Sequence, residues 1–416
     1  GRGCSRLENR KREGVLTTIL VMERTPCDLL VFGANDVVTW VDGVAGDSVA
    51  VLDGKVVAVG DQASLRAAWN PAEETDASGS VLVPGFVDAH THPVFAVGRA
   101  EEFDWRAQGV DYLEIARRGG GILSSVKNVR ECDEGRLTEI VEGHFQRMLG
   151  LGTMACEAKS GYGLSLDAEC KSLRAIRDAA ELTGMEVHPT FLGAHMIPAE
   201  HRDAPDVYMD LLCEEMLPRV ADEGLARAAD IFIEEGAFNL QQARRYLERA
   251  KELGFALRVH ADQFNELGGV QLAVELGAEC VDHLEALTDA GLEALALGEK
   301  KTFAGLLPAV PHFLRQSIDA PARKLLDAGV PYFVATDFNP GSCYTPSLAE
   351  AAHFARVRLC LTASEALYGV TAGAADSLGI GDRRGRIAPG YEGDFLMLDL
   401  PDIHHFGYAF GECPVM

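Results

Sequence analysis

No stretch of this chain approaches the roughly 20 consecutive apolar residues that a membrane-crossing helix needs, so the sequence offers no helical span. Positive charge is scarce. Thirty-eight Lys and Arg stand against 63 Asp and Glu, a net charge of −25, which disfavours nucleic acid or an anionic membrane as the main partner. The ten cysteines form no CxxC pair and no small-domain framework. They read as reduced, mostly buried thiols of a cytoplasmic protein. Low-complexity tracts and sequence repeats are also missing. What is there is an ordinary globular composition over 416 residues, enough for a sizeable core and, by length alone, for two or three domains.

Val15–Met22 follows the basic run Arg10–Arg12 and faintly imitates a signal peptide. Its two threonines, the Glu23-Arg24 that follows and the lack of a small-residue cleavage site argue against one. The natural chain is expected to begin at Met22, with the first 21 residues an upstream extension; residues 1–27 are expected to be weakly ordered and the β-domain to begin near Asp28. From Asp28 to Val81 short strand-like runs alternate with turns, as in "DLLVFG" and "SVAVLDGKVVAVG", and "GRIAPGYEGDFLMLDL" near the other end has the same character. Residues 28–83 and 385–416 are therefore expected to form one small β-sandwich domain built from both chain ends.

Residues 84–384 alternate short apolar runs with segments of helical period such as "AECKSLRAIRDAAELTG" and "LQQARRYLERAKELG". The runs are "GFVDAH", "GTMACEAK", "MEVHPTFLG", "ADIFIEE", "FALRVHA", "AECVDHLE", "KTFAGLLP" and "PYFVATDF". Eight strand–helix units fit an α/β fold of the (β/α)8 TIM-barrel type better than an open sheet.

Active sites of such barrels lie at the carboxyl ends of the strands, and chemistry-bearing residues collect there. The first run ends in His90-Thr91-His92, two imidazoles on the same side of a strand. The fifth ends in His260 and the eighth in Asp337. Three nitrogens and a carboxylate suit zinc or iron with room left for water. A lone HxH is a weak signal; its conjunction with a late His and a late Asp is strong.

The combination of "PGFVDAHTH", a late His and "ATD" resembles the amidohydrolase superfamily. Within it, "GRAEEFDWRAQGVDYLEIARRGGGI", "KSGYGLS", "TFLGAH", "HADQFNELGG", "DHLE" and "ATDFNPGSC" resemble the imidazolonepropionases, from about Asp28 to Phe406. That resemblance implies one Zn2+ or Fe3+ per chain on His90, His92, His260 and Asp337. It implies substrate contacts from Arg99, Tyr162, His195, Gln263, Asn339, Gly341 and Ser342, with His283 a further active-site histidine. The implied reaction is hydrolysis of 4-imidazolone-5-propanoate to N-formimino-L-glutamate in histidine catabolism, by a metal-activated water. Asp337 would move the proton, His283 and His195 would stabilise the oxyanion, and Arg99 would clamp the propionate.

The small molecule is the only partner implied; a homodimer is compatible with the sequence, which does not fix the oligomeric state. Two rivals are a deaminase of a nitrogen heterocycle and a non-catalytic relative. Against the first stands Gln263, a neutral amide three residues after His260, where such deaminases commonly carry Glu. Against the second stands the full ligand set. Lys159 reads as a structural charge, although some superfamily relatives carry a carbamylated lysine there. The run Gly119–Gly121 brings backbone near substrate or makes a turn that needs positive φ. His144, His201, His312 and His353 read as surface or packing residues. After "HHFG" (His404–Gly407) the chain ends in "YAFGECPVM", where the resembling family continues into a further strand.

Overall fold

The computed structural model describes residues 24–416 apart from Asp111 and Gly119, so the Val15–Met22 segment lies outside the described residues. Six strands precede the barrel: β1 (Thr25–Phe32), β2 (Asp36–Val37), β3 (Ser48–Leu52), β4 (Lys55–Gly60), β5 (Trp69–Asp76) and β6 (Val81–Pro84). The first sheet runs β4-β3-β1-β5. Side-chain alternation sorts its two faces. Leu29 and Val31 join a core shared with Val37, Leu82 and Met397 of the second sheet, while Leu30 and Phe32 pack with Leu65 of the helix Gln62–Ala68.

One boundary shifts. Thr25–Cys27, expected in the extension, belong to β1 and pair in parallel with Trp69–Pro71, because β5 runs past the end of β3 and carries the ladder on. The second sheet runs β15-β6-β2, where β15 (Phe395–Leu398) arrives from the far end of the chain and lies antiparallel to β6. The terminal "YAFGECPVM" folds back onto it: Leu398 bridges Val415, and Met416 N donates to Met397 O at 3.1 Å.

A single residue, Gly85, separates β6 from the barrel. Strands β7 (Phe86–Asp88), β8 (Thr153–Lys159), β9 (Glu186–Ala194), β10 (Ala228–Ile233), β11 (Ala256–Ala261), β12 (Cys280–His283), β13 (Phe303–Leu306) and β14 (Tyr332–Val334) follow in chain order within one parallel sheet. These are the eight runs read from the sequence. The two ends of the sheet meet just past β7 and β14, where Asp337 N donates to His90 O (3.1 Å), His92 N donates to Phe338 O (2.9 Å) and Thr336 Oγ1 donates to Asp88 (2.6 Å). Crossover helices cover the outside. In Leu166–Thr183 the spacing of Leu173, Ile176 and Ala179 puts an apolar stripe inward, and Gly184 stops the helix in the left-handed conformation. Leu240–Glu252 opens on a capping box made by Asn239 and Gln242.

Two features of the barrel set up the site. Between β7 and the crossover helix Glu134–Gly150, short helices at Ala100–Ala107, Tyr112–Arg117 and Ile122–Glu131 bring side chains to the cavity at the barrel mouth. Inside the barrel, Glu157, Lys159, Asp230, Arg258 and Asp282 are each at most 1% exposed. Three carboxylates and two cations thus share a dry interior, an arrangement that survives only if the groups are bonded to one another.

Candidate active site

His90 and His92 stand just past β7, Tyr162 past β8, His195 past β9 and Asp337 past β14, while His260 and His283 lie at the ends of β11 and β12. All of these except His90 line one cavity of about 370 Å³, together with Arg99, Gln263, Asn339, Gly341 and Ser342. His90 is fully buried beneath it. The structure therefore gathers every residue singled out from the sequence for the site. The backbone is strained there: Asp262, His283, Leu284 and Asp337 all adopt positive φ, a conformation that non-glycine residues hold only when their surroundings enforce it.

The histidines are oriented from below. His90 Nδ1 lies 2.6 Å from Asp282 Oδ2, and His260 Nδ1 lies 3.0 Å from Asp230 Oδ1. A carboxylate accepts, so each Nδ1 carries the proton. Burial and Lys159 work against a charge on His90, but Asp282 and Asp337 outweigh them and raise it to about 9, so a positive charge, proton or metal ion, is favoured at its Nε2. The three Nε2 atoms converge: His92 Nε2 is 3.2 Å from His90 Nε2 and 3.4 Å from His260 Nε2. Asp337 Oδ1 is 3.3 Å from His92 Nε2 and has no hydrogen-bond donor of its own. Burial, partly offset by Asp337, holds His92 down to about 4 and therefore neutral. Ring nitrogens this close are stable only with a positive charge among them, supplied by a proton on His90 or by a metal ion that displaces it. With one oxygen added, the donor set fits a zinc- or iron-type ion.

Lys159 supports this arrangement from further down. Its Nζ donates to Glu157 Oε1 and Asp230 Oδ2, both at 2.8 Å. Burial alone would lower its pKa, but Asp230 and Glu157 outweigh it and hold the ammonium above its usual range. A charged ammonium with two carboxylate partners is not the neutral amine that carbamylation requires, in line with the structural role expected for it. Arg258 adds a second buried cation and donates to Ala89 O at 2.8 Å.

One chemical role needs revision. His195 Nδ1 lies 3.0 Å from Gly161 O, and a carbonyl only accepts, so that nitrogen carries the proton. Burial holds the ring neutral, which leaves the other nitrogen a lone pair. That nitrogen is thus an acceptor and cannot donate to an oxyanion. His283 keeps that capacity, since no acceptor bonds its Nδ1 and its single proton is free to sit on Nε2. Asn339 organises the last loop, accepting from Gly341 N (2.8 Å) and Ser342 N (2.7 Å) and donating to Asp337 O (2.7 Å).

Sequence reading missed Asp230, Asp282, Glu102 and Arg106. The first two carried a signal, a single aspartate within the strand core ("AADIFI", "CVDH"). Glu102 and Arg106 lie in a segment that reads as an ordinary polar helix, yet both line the cavity. Of the other histidines, His144 is buried with Nδ1 2.8 Å from Pro93 O, and His201 and His353 pack on aromatic rings away from the cavity.

A parallel barrel with three histidines and an aspartate at its carboxyl-end mouth defines a class of metal-dependent hydrolase, and the profile described as "Amidohydrolase family" matches residues 81–415. The chain belongs to that family and, within it, to the imidazolonepropionases. It is 45% identical over 367 residues to the imidazolonepropionase of Rubrobacter xylanophilus, covering 88% of this chain and 87% of the relative. It is 44% identical over 368 residues to that of Myxococcus xanthus, with the same two coverages. Among solved structures, a zinc-bound adenosine deaminase from Xanthomonas campestris superimposes with a TM-score of 0.72 over 94% of this chain and 91% of its own, at 20% identity. That likeness speaks for the fold alone.

Proposed function

We propose that this chain hydrolyses 4-imidazolone-5-propanoate to N-formimino-L-glutamate, with one zinc or iron ion held by His90, His92, His260 and Asp337. The observation that carries the reading is the polarity of one cavity: ring nitrogens that need a positive charge at its floor and the guanidinium of Arg99 in its wall. A cavity lined by both features suits a cyclic amide that bears a carboxylate.

A bound ion lowers the pKa of water toward neutrality and polarises the carbonyl under attack. The protein's own groups do the rest. Asp337, whose carboxylate borders both the ion site and the cavity, accepts the water's proton and returns it to the departing ring nitrogen. His283, neutral through burial, donates to the developing oxyanion. His195 accepts from a ring N–H and Tyr162, kept protonated by burial, packs against it. Gln263 orients the ring as a neutral amide. Arg99 takes the propionate.

The nine described cysteines are all free and no described helix is long and apolar enough to cross a membrane, which supports a cytoplasmic site of action. The test is incubation of the metal-loaded protein with freshly prepared imidazolone propionate while formimino-glutamate is measured. Absence of that product from a folded, metal-loaded sample would refute the assignment.

A further inference from the structure

Arg99 does not stand free in the cavity wall. Its Nε lies 3.0 Å from both carboxylate oxygens of Glu102, and its Nη2 lies 3.0 Å from Glu102 Oε2. One edge of the guanidinium is therefore already gripped, and Nη1 is the nitrogen without a Glu102 contact. Glu102 is only 5% exposed and is itself held, because Gly121 N donates to its Oε1 at 2.8 Å. Glycines make room for the assembly. A Cβ on Gly120 would stand 2.9 Å from Glu102 Oε1, and a Cβ on Gly341 would stand 2.4 Å from Arg99 Cζ and Nη1. Arg106 ties the same helix to the loop after β14 by donating to Gly341 O at 2.7 Å.

From this geometry we infer that Glu102 is a positioning residue that sets the direction of Arg99 and thereby the enzyme's selectivity for a carboxylate, with Gly120-Gly121 as its cradle. The inference rests on the reading above that Arg99 receives the substrate's carboxylate. It gives the glycine run a purpose that the sequence left open between a backbone contact and a turn. A charge argument points the same way. Arg99 and Arg106 carry two positive charges and Glu102 one negative, so the wall presents a net single positive charge to a single carboxylate. A second free cation would attract anions more strongly but would not fix where the carboxylate sits, and displacement of a bound group by about 1 Å is costly to turnover.

The two roles differ in sign, which makes the inference testable. If Glu102 merely neutralised the wall, Glu102→Gln would lower KM, since the cavity gains positive charge. If it positions Arg99, Glu102→Gln raises KM for imidazolone propionate about 10-fold or more, the loss of one charge-assisted bond, with a smaller fall in kcat. Gly120→Ala should shift KM in the same direction without altering any charge, and it covers the case in which Glu102→Gln fails to fold. Both variants and Arg99→Ala are assayed on imidazolone propionate and on its neutral propanamide analogue, with metal content and melting temperature recorded.

The expected result is that all three variants lose preference for the carboxylate while retaining metal. Loss of preference in Arg99→Ala but not in Glu102→Gln or Gly120→Ala overturns the role of Glu102 and leaves that of Arg99 standing. Unchanged preference in Arg99→Ala overturns the reading of Arg99 and the inference with it.

Discussion

Replacing Asp282 by Asn tests the idea that the ion site is aimed from below. The carboxylate meets His90 Nδ1 at 2.6 Å with both side chains fully buried, a charge-assisted bond of the short, strong kind. Asparagine preserves the shape but removes the charge. The dry interior then holds two carboxylates, Glu157 and Asp230, against the two cations Lys159 and Arg258, where it had three, so the field beneath the ion becomes less favourable to a cation. Loss of a carboxylate behind a metal-binding histidine typically weakens metal affinity about 10- to 100-fold, equivalent to roughly 1.4–2.7 kcal/mol. Complete burial argues for the upper part of that range. The assay is competition with a chelator of known affinity, followed by metal analysis of the recovered protein, with circular dichroism to establish that it is folded. Wild-type retention of metal by folded Asp282→Asn would refute the reasoning, since it would mean that the Nδ1 contact neither orients His90 nor supplies charge to the site.

Other consequences can be checked together. Lys159→Met strips the ammonium from Glu157 and Asp230, and breaking a buried ion pair costs about 3–5 kcal/mol; a large drop in melting temperature is expected, and an unchanged melt would contradict the bonding described. Gly305→Ala places a Cβ 2.2 Å from Asp282 Oδ1 and 2.7 Å from Phe333 Cζ, so overpacking of about 1–3 kcal/mol should appear in thermal unfolding together with weaker metal retention. Removal of residues before Met22 should leave melting and turnover intact. Removal through Cys27 deletes the pairing of Thr25–Cys27 with Trp69–Pro71 and should lower the melting temperature; equal melts for the two truncations would show that the start of β1 contributes nothing.

Much of the architecture was readable because barrel strands are short apolar runs bounded by helical periods, and each of the eight runs became a strand. The ion ligands were readable for the same reason: a strand end fixes where its last side chains point, so His90, His92, His260 and Asp337 could be placed together without knowing any distance. The groups behind them were not. Asp282 meets His90 across 192 residues of chain and Asp230 meets His260 across 30, and nothing local tells which carboxylate finds which ring. Glu102 was obscured differently. It sits in "AEEFDW" between charged neighbours that face solvent, and only the fold of the long connection after β7 turns it inward. The tautomer of His195 was also out of reach, since it depends on a carbonyl, Gly161 O, that carries no sequence signature.

The central claim is that a single ion on the histidine–aspartate set drives opening of the imidazolone ring. Its most direct test is turnover of imidazolone propionate by the same preparation as isolated, after chelation, and after stepwise return of zinc or iron. The account predicts that activity disappears with the metal and recovers in proportion to occupancy, reaching its plateau at one ion per chain. Full formimino-glutamate production by a folded, metal-free sample, or a plateau reached only at two ions per chain, would contradict it.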